Sequence, residues 1–202
     1  MWRKGRQDET YTRLAHKEGY PARSVYKLKE IDKKFLLIKK GDRVLDLGSA
    51  PGSWLMYLSD KVGDEGKVVG FDTEDINMPA RNNVVFYKKS IFDLKASDFQ
   101  EKYDVIAADL SPKTSGIRDI DVARSLELSE AALEIAKIAL KEGGNFVCKI
   151  FETGSTPKFF KEIAACFESA KRFRPMAVVK GSREFYLVGK GFRQPIDKIV
   201  KR

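Results

Sequence analysis

The sequence predicts an α/β fold, a doubly wound and mostly parallel sheet with helices on both faces. Three observations predict it. Short apolar runs of strand length alternate with segments that repeat apolar residues at helical spacing. The first run, RVLDL (43–47), empties into a loop of small residues. Acidic residues, Asp46, Asp72 and Asp109, recur where strands end, and in such sheets ligands bind beyond the carboxyl ends of the strands near the point where strand order reverses.

The elements follow in order. Residues 24–38 place Val25, Leu28, Ile31 and Phe35 on one helical face, after Pro21 and before Gly41. The strand 43–47 precedes a helix over 54–61, and KVVGFD (67–72) and NVVFY (83–87) read as the second and third strands. YDVIAADL (103–110) is a fourth, followed by a loop and a long helix through Leu126, Leu133, Ile135 and Leu140 that Gly143-Gly144 closes. NFVCKIF (145–151) makes a fifth strand, and a helix is expected over 158–169. MAVV (176–179) and EFYLVGK (184–190), separated by a short KGSR turn, read as an antiparallel hairpin. The expected sheet therefore has seven strands, with one antiparallel strand near the C-terminus.

Composition bounds the class. A chain of 202 residues, 43% hydrophobic, is expected to form one domain over 1–202. Residues 1–20 read as a basic extension and 191–202 as a basic tail. No apolar run approaches the roughly 20 residues that span a bilayer, and no apolar segment follows the first basic residues. The two cysteines, Cys148 and Cys166, lack metal-ligand spacing, and one histidine is too few for most zinc sites, so no metal is expected. Reduced thiols and the missing signal point to the cytoplasm. Thirty-eight Lys and Arg against 29 Asp and Glu leave a net charge of +9. That excess suits a polyanion, nucleic acid before membrane.

The loop DLGSAPGSW (46–54) narrows the ligand. A P-loop needs a lysine that this loop lacks, and a dinucleotide site needs a third glycine and a different spacing. What remains suits a compact, partly cationic ligand beside Asp46 and Asp72. Asp72 ends the second strand about 20 residues past the loop, where an acid bonds ribose hydroxyls. S-adenosylmethionine is the nucleoside that fits both features, with Asp72 on its ribose hydroxyls. Two rival chemistries lack their signatures. The segment DLSPKTSG (109–116) has no Asn/Asp-Pro-Pro-aromatic motif for amino methylation, and neither cysteine follows a proline as in cytosine-5 enzymes.

Four charged residues stand in awkward places. Lys149 interrupts the apolar strand FVCKIF, Asp109 ends the fourth strand, Glu184 begins the last, and Lys27 sits on the first helix. Each alone has an ordinary structural role; together they form a two-lysine, two-carboxylate set around a nucleoside site.

From about Ala22 to Lys190 the chain resembles the FtsJ-like ribosomal RNA 2′-O-ribose methyltransferases. The resemblance rests on SVYKL (24–28), DLGSAPGSW, Asp72, ADLSPKTSG (108–116), CKIF (148–151) and SREFYLV (182–188). It implies a Rossmann-like methyltransferase fold, an S-adenosylmethionine cofactor and a Lys-Asp-Lys-Glu catalytic tetrad on Lys27, Asp109, Lys149 and Glu184. The cofactor contacts would fall on Gly48, Ser49, Pro51, Gly52, Ser53, Trp54, Asp72 and Asp109. Where the family commonly carries an aspartate for the adenine amino group this chain has Ser90, leaving Ser90 or Asp93 to make that contact. Arg23, Lys27, Lys29, Lys180 and Arg183 would hold RNA phosphates.

The implied reaction is methyl transfer to a ribose 2′-hydroxyl, with Lys149 either as base or as stabiliser of the developing alkoxide. A uridine of large-subunit ribosomal RNA is the expected substrate and a monomer the expected state. The alternatives are a transfer RNA enzyme and a catalytically silent RNA-binding module. The PKTSG loop looks more like the ribosomal branch than the DGAPDVTG of transfer RNA enzymes. A dinucleotide oxidoreductase is disfavoured by the absent glycine fingerprint.

Overall fold

The computed structural model describes residues 6–112 and 115–194, without the side chains of 6–8 and 118. Arg3 and Lys4 of the basic extension, Lys113 and Thr114 of the PKTSG loop, and 195–202 of the basic tail lie outside the described residues.

Two helices lead in: α1 (Arg6–Lys17) and α2 (Val25–Phe35). The extension expected over 1–20 is thus helical from Arg6, and Ala15 packs on Val25, Tyr26 and Ala177. Helix α2 stops at Phe35, short of the expected Ile38, because Leu36 takes a left-handed conformation (φ 53°). The buried carboxylate of Asp32 then accepts from the amides of Leu37 and Ile38, both at 3.1 Å, so the chain leaves the helix with its donors satisfied.

The core alternates as expected through β1 (Arg43–Leu47), α3 (Ser53–Val62), β2 (Lys67–Asp72), β3 (Val84–Lys88), β4 (Tyr103–Ala108), α4 (Arg118–Ala139) and β5 (Leu140–Phe151). Then come α5 (Thr156–Cys166), β6 (Phe167–Phe173) and β7 (Glu184–Phe192). The sheet has seven strands in the order β3-β2-β1-β4-β5-β7-β6. Only β7 runs antiparallel to its neighbours. Strand order reverses between β1 and β4, which puts the switch point where Gly48 and Asp109 leave the sheet.

One element is misplaced by the sequence reading. Helix α5 ends at Cys166, and residues 167–169, expected to finish that helix, instead open strand β6, FESAKRF. MAVV (176–179) is not a strand, and ten residues (174–183) join β6 to β7 rather than a tight turn. The cause is tertiary. Phe167 pairs with Phe192, and its ring lies against Gly189, where an added Cβ would meet it at 2.6 Å. Ala177 and Val178 are buried toward α2, and the amides of Met176 and Ala177 bond Glu30 instead of a neighbouring strand. Strand β7 also runs to Phe192, into the expected tail.

Two apolar layers enclose the sheet. Leu45, Leu47, Ile106, Phe146, Cys148 and Ile150 face α4 and α5, while Val44, Val68, Val105, Val147 and Tyr186 face α2 and α3. Among the described residues no helix is long and apolar enough to cross a membrane.

Candidate active site

A cleft of about 710 Å³ opens at the carboxyl ends of β1, β2 and β4. Its wall includes Gly48, Ala50, Pro51, Asp72, Ser90 and Asp109 on the nucleoside side, and Lys27, Lys149 and Glu184 at the other end.

Strand register brings the four charged residues together. Lys149 alternates away from Cys148 and Ile150, onto the face that holds Val147 and Tyr186. It lies opposite Tyr186 across the β5–β7 ladder, and Glu184 lies opposite Phe151. Its side chain is 3% exposed, so the surface position that a half-buried strand would also allow is excluded. The ammonium meets the Asp109 carbonyl at 2.9 Å, the Asp109 carboxylate at 3.2 Å, and the Ser111 hydroxyl. On α2, Lys27 pairs with Glu184 at 2.5 Å.

Tyr186 joins the two pairs. Its hydroxyl lies 2.8 Å from Asp109 Oδ1 and 3.0 Å from Glu184 Oε1. The result is one chain of contacts, Lys149–Asp109–Tyr186–Glu184–Lys27, in which two positive and two negative groups balance. Burial and the flanking carboxylates push the Tyr186 phenol far up, so it stays a donor. Burial alone would raise the Asp109 carboxyl, but the ammonium groups of Lys149 and Lys27, with the Tyr186 hydroxyl, hold it below the ordinary carboxylate range. Tyr186 was not singled out from sequence, although it follows Glu184 by two in a strand and so had to share its face.

The glycine loop divides into lining and support. Gly48 (φ 84°) passes within contact of the Leu110 backbone, so a side chain there would part β1 from the residues after β4. Ser49, Ser53 and Trp54 are buried, and with Gly52 they do not line the cleft. Ser53 Oγ accepts from the Ala22 amide at 2.7 Å, and Trp54 Nε1 donates to the Ser24 carbonyl at 2.9 Å. These residues therefore tie the start of α2, and with it Lys27, to the loop.

Asp72 accepts from the amides of Ala50 (2.8 Å) and Glu74 (2.9 Å) and still faces the cleft. Ser90 lines the cleft and caps the single turn Ile91–Asp93, whereas Asp93 is exposed outside it. Of the expected phosphate contacts, Lys180 and Arg183 are exposed and Arg23 is partly buried. Lys29 is engaged elsewhere: it pairs with Glu18 at 2.7 Å and lies over the rings of Tyr20 and Tyr26.

Asp46 is the remaining oddity. It is fully buried, and neither carboxylate oxygen has a hydrogen-bond partner. Burial, with Asp109 and Asp72 nearby, pushes its carboxyl well above the ordinary range.

Residues 20–192 match the FtsJ-like methyltransferase family. The chain belongs to that family. It is 42% identical over 192 residues to the ribosomal RNA large subunit methyltransferase E of Desulforapulum autotrophicum, covering 94% of this chain and 95% of the relative. The protein of the same name from Bdellovibrio bacteriovorus is 41% identical over 185 residues, covering 89% and 94%. Among solved structures, one from Plasmodium falciparum described as a ribosomal RNA methyltransferase aligns with a TM-score of 0.75 at 26% identity, over 86% of this chain and 98% of that one.

The enzyme is thus a methyltransferase, and S-adenosylmethionine is its methyl donor. Its residues fit that cofactor. Asp72 closes β2 where a ribose needs an acceptor, and its carboxylate faces the cleft.

Two expectations follow for the cofactor side. Asp72→Ala should weaken S-adenosylmethionine binding roughly 30- to 150-fold, the equivalent of about 2–3 kcal/mol for lost charge-assisted bonds. Asp72→Asn, which keeps one acceptor oxygen, should lose less. Calorimetry finding unchanged affinity in a folded Asp72→Ala protein removes Asp72 from the site.

Asp46→Asn should raise stability. A carboxyl raised in the folded state contributes stability fully below its unfolded pKa of about 3.9, and that contribution is lost as pH rises toward the folded value. The substitution should therefore raise the melting temperature by about 2–4 °C at pH 7, the effect of roughly 1 kcal/mol in a chain of this size. At pH 4 the gain should shrink. An equal melting shift at both pH values counts against the buried-acid assignment.

Proposed function

We propose that the protein transfers the methyl group of S-adenosylmethionine to the 2′-hydroxyl of a uridine ribose in large-subunit ribosomal RNA. The observation that carries this reading is the continuous Lys149–Asp109–Tyr186–Glu184–Lys27 network at the open end of a nucleoside cleft. The names of the relatives support the ribosomal substrate over transfer RNA. The basic surface and the absence of a membrane-spanning helix among the described residues are consistent with a cytoplasmic enzyme. On this reading residues 1–202 act as one domain and as a monomer.

The bound cofactor supplies an electrophilic methyl. The protein supplies position and charge. Asp72 takes the cofactor ribose, and Ser90 stands at the adenine end in place of an acid. A ribose hydroxyl attacks the methyl only as its proton leaves, here to water at the open mouth of the cleft, so charge develops on that oxygen. Lys149 donates toward three acceptors, the carbonyl and carboxylate of Asp109 and the Ser111 hydroxyl, which matches the three protons of an ammonium. We therefore assign Lys149 as the charged group that stabilises the alkoxide, through its positive charge and by exchanging the Ser111 hydroxyl for the ribose oxygen. Asp109 and Tyr186 orient it, and Glu184 holds Lys27 at the other side of the acceptor. A base role would require Lys149 to shed a proton first, and the rate would then climb with pH until it had.

The test is to offer the protein labelled cofactor with large-subunit, small-subunit and transfer RNA, then digest the products. One labelled uridine in an alkali-resistant dinucleotide from large-subunit RNA is the expected result. Label on a base, or in transfer RNA alone, overturns the reading.

A further inference from the structure

Residues 174–183, which join β6 to β7, carry Lys180 and Arg183 and are gripped at both ends by one face of α2. At one end the Glu30 carboxylate accepts from the amides of Met176 (2.6 Å) and Ala177 (3.0 Å). At the other, Lys27 holds Glu184. Lys27 and Glu30 are three residues apart, and so are neighbours on the helix surface. The segment is also closed on itself, since Arg174 donates to the carbonyls of Glu184 (3.0 Å) and Val179 (3.3 Å).

Within this fixed backbone one side chain stands out. Ala177 and Val178 are 2% and 5% exposed, whereas Met176 is 74% exposed. A large apolar group is thus held in water one helical turn from the Lys27–Glu184 pair, with exposed Lys180 and Arg183 on the same segment. Positive charge beside a fixed apolar group suits a partner that offers phosphates and flat apolar faces together. An unpaired RNA strand offers both.

We propose that Glu30 is a positioning residue that presets this segment, so that Met176 packs on the base of a nucleotide flanking the acceptor while Lys180 and Arg183 meet phosphates. The inference rests on the RNA reading of the same site. Its chemistry is ordinary: methionine is a polarisable apolar filler, and apolar side chains are inserted against bases elsewhere in nucleic-acid recognition. Presetting the segment lowers the ordering cost of binding.

The experiment is steady-state kinetics on a target RNA oligonucleotide, with cofactor affinity and melting temperature measured alongside. Met176→Ser should raise the KM for RNA roughly 2- to 12-fold, the equivalent of losing one methionine–ring contact at about 0.3–1.5 kcal/mol. The rise in KM should far exceed any fall in kcat. Met176→Leu should recover most of the loss. Glu30→Gln, which turns an amide donor toward one of the two backbone amides, should raise KM in the same direction with cofactor affinity and melting temperature little changed. RNA made abasic at one flanking nucleotide at a time decides the contact. At the contacted position the wild-type penalty should match that of Met176→Ser, and combining the two should add little.

An unchanged KM for Met176→Ser, or additive penalties at every flanking position, overturns the base contact. A Glu30→Gln protein that loses stability and cofactor affinity in step with KM overturns the positioning role. Wild-type protein that methylates no RNA would instead defeat the functional reading beneath it.

Discussion

Lys149→Met is expected to lower methyl transfer by about 10²–10³-fold, the loss seen when a preorganised stabiliser of developing charge is removed. S-adenosylmethionine affinity should stay within a few fold, because Lys149 sits at the acceptor end of the cleft. Methionine keeps the length of the stem, so β5 should remain packed between β4 and β7. Stability should nevertheless fall. The variant breaks a buried pair with Asp109, which costs about 3 kcal/mol, toward the low end of such losses because Tyr186 still donates to the same carboxylate.

The pH dependence gives a second readout for the same variant. Asp109 is held below the ordinary carboxylate range, with Lys149 foremost among the groups that hold it there. A carboxyl lowered in the folded state contributes stability above its unfolded pKa of about 3.9, and that contribution is lost as pH falls through the folded value. Without Lys149 the acid-side loss should begin at higher pH. Adding Asp109→Asn to Lys149→Met should recover part of the melting temperature and none of the turnover, separating chemistry from fold. Activity of Lys149→Met within tenfold of wild type would remove Lys149 from the reaction.

A target RNA with a single 2′-deoxyribose at the acceptor nucleotide should bind and not react. Only one oxygen is lost, and phosphates and flanking bases still supply the affinity. Competition against the all-ribose oligonucleotide should give an inhibition constant within a few fold of its KM, while product stays at background. Methylation of the deoxy substrate at the normal rate would make a base atom the acceptor and leave Lys149 no alkoxide to stabilise.

How much of this was legible in the chain differs by element. Strands β1 to β5 and helices α3 and α4 are written in local apolar periodicity, and each appears near its expected place. The acidic strand ends Asp72 and Asp109 were legible for the same reason, since a parallel sheet sends all its carboxyl ends to one side. Beyond β5 the local pattern misleads. FESAKRF has residues at helical spacing, yet it is strand β6 because Phe167 gains a partner in Phe192 and a seat on Gly189. MAVV has strand composition, yet its amides go to Glu30, which lies 146 residues away from Met176 in the chain.

The site divides along the same line. Four charged residues and a nucleoside loop could be named from sequence because, although each alone has an ordinary role, together they make a set around a small-residue loop that ordinary roles do not require. Which of them touch could not. Lys29 reads like Lys27 on paper, but it is turned to Glu18 and two tyrosine rings. Trp54 and Ser53 read as cofactor contacts, but they brace α2 against the loop. Tyr186 links two carboxylates only because β7 runs antiparallel beside β5, which sets it opposite Lys149. The sequence by itself determined the ligand class, since that depends on which residue types stand at the strand ends. The tertiary structure alone decided which charges pair, because a salt bridge or hydrogen bond forms over a few ångströms between residues that the chain holds far apart.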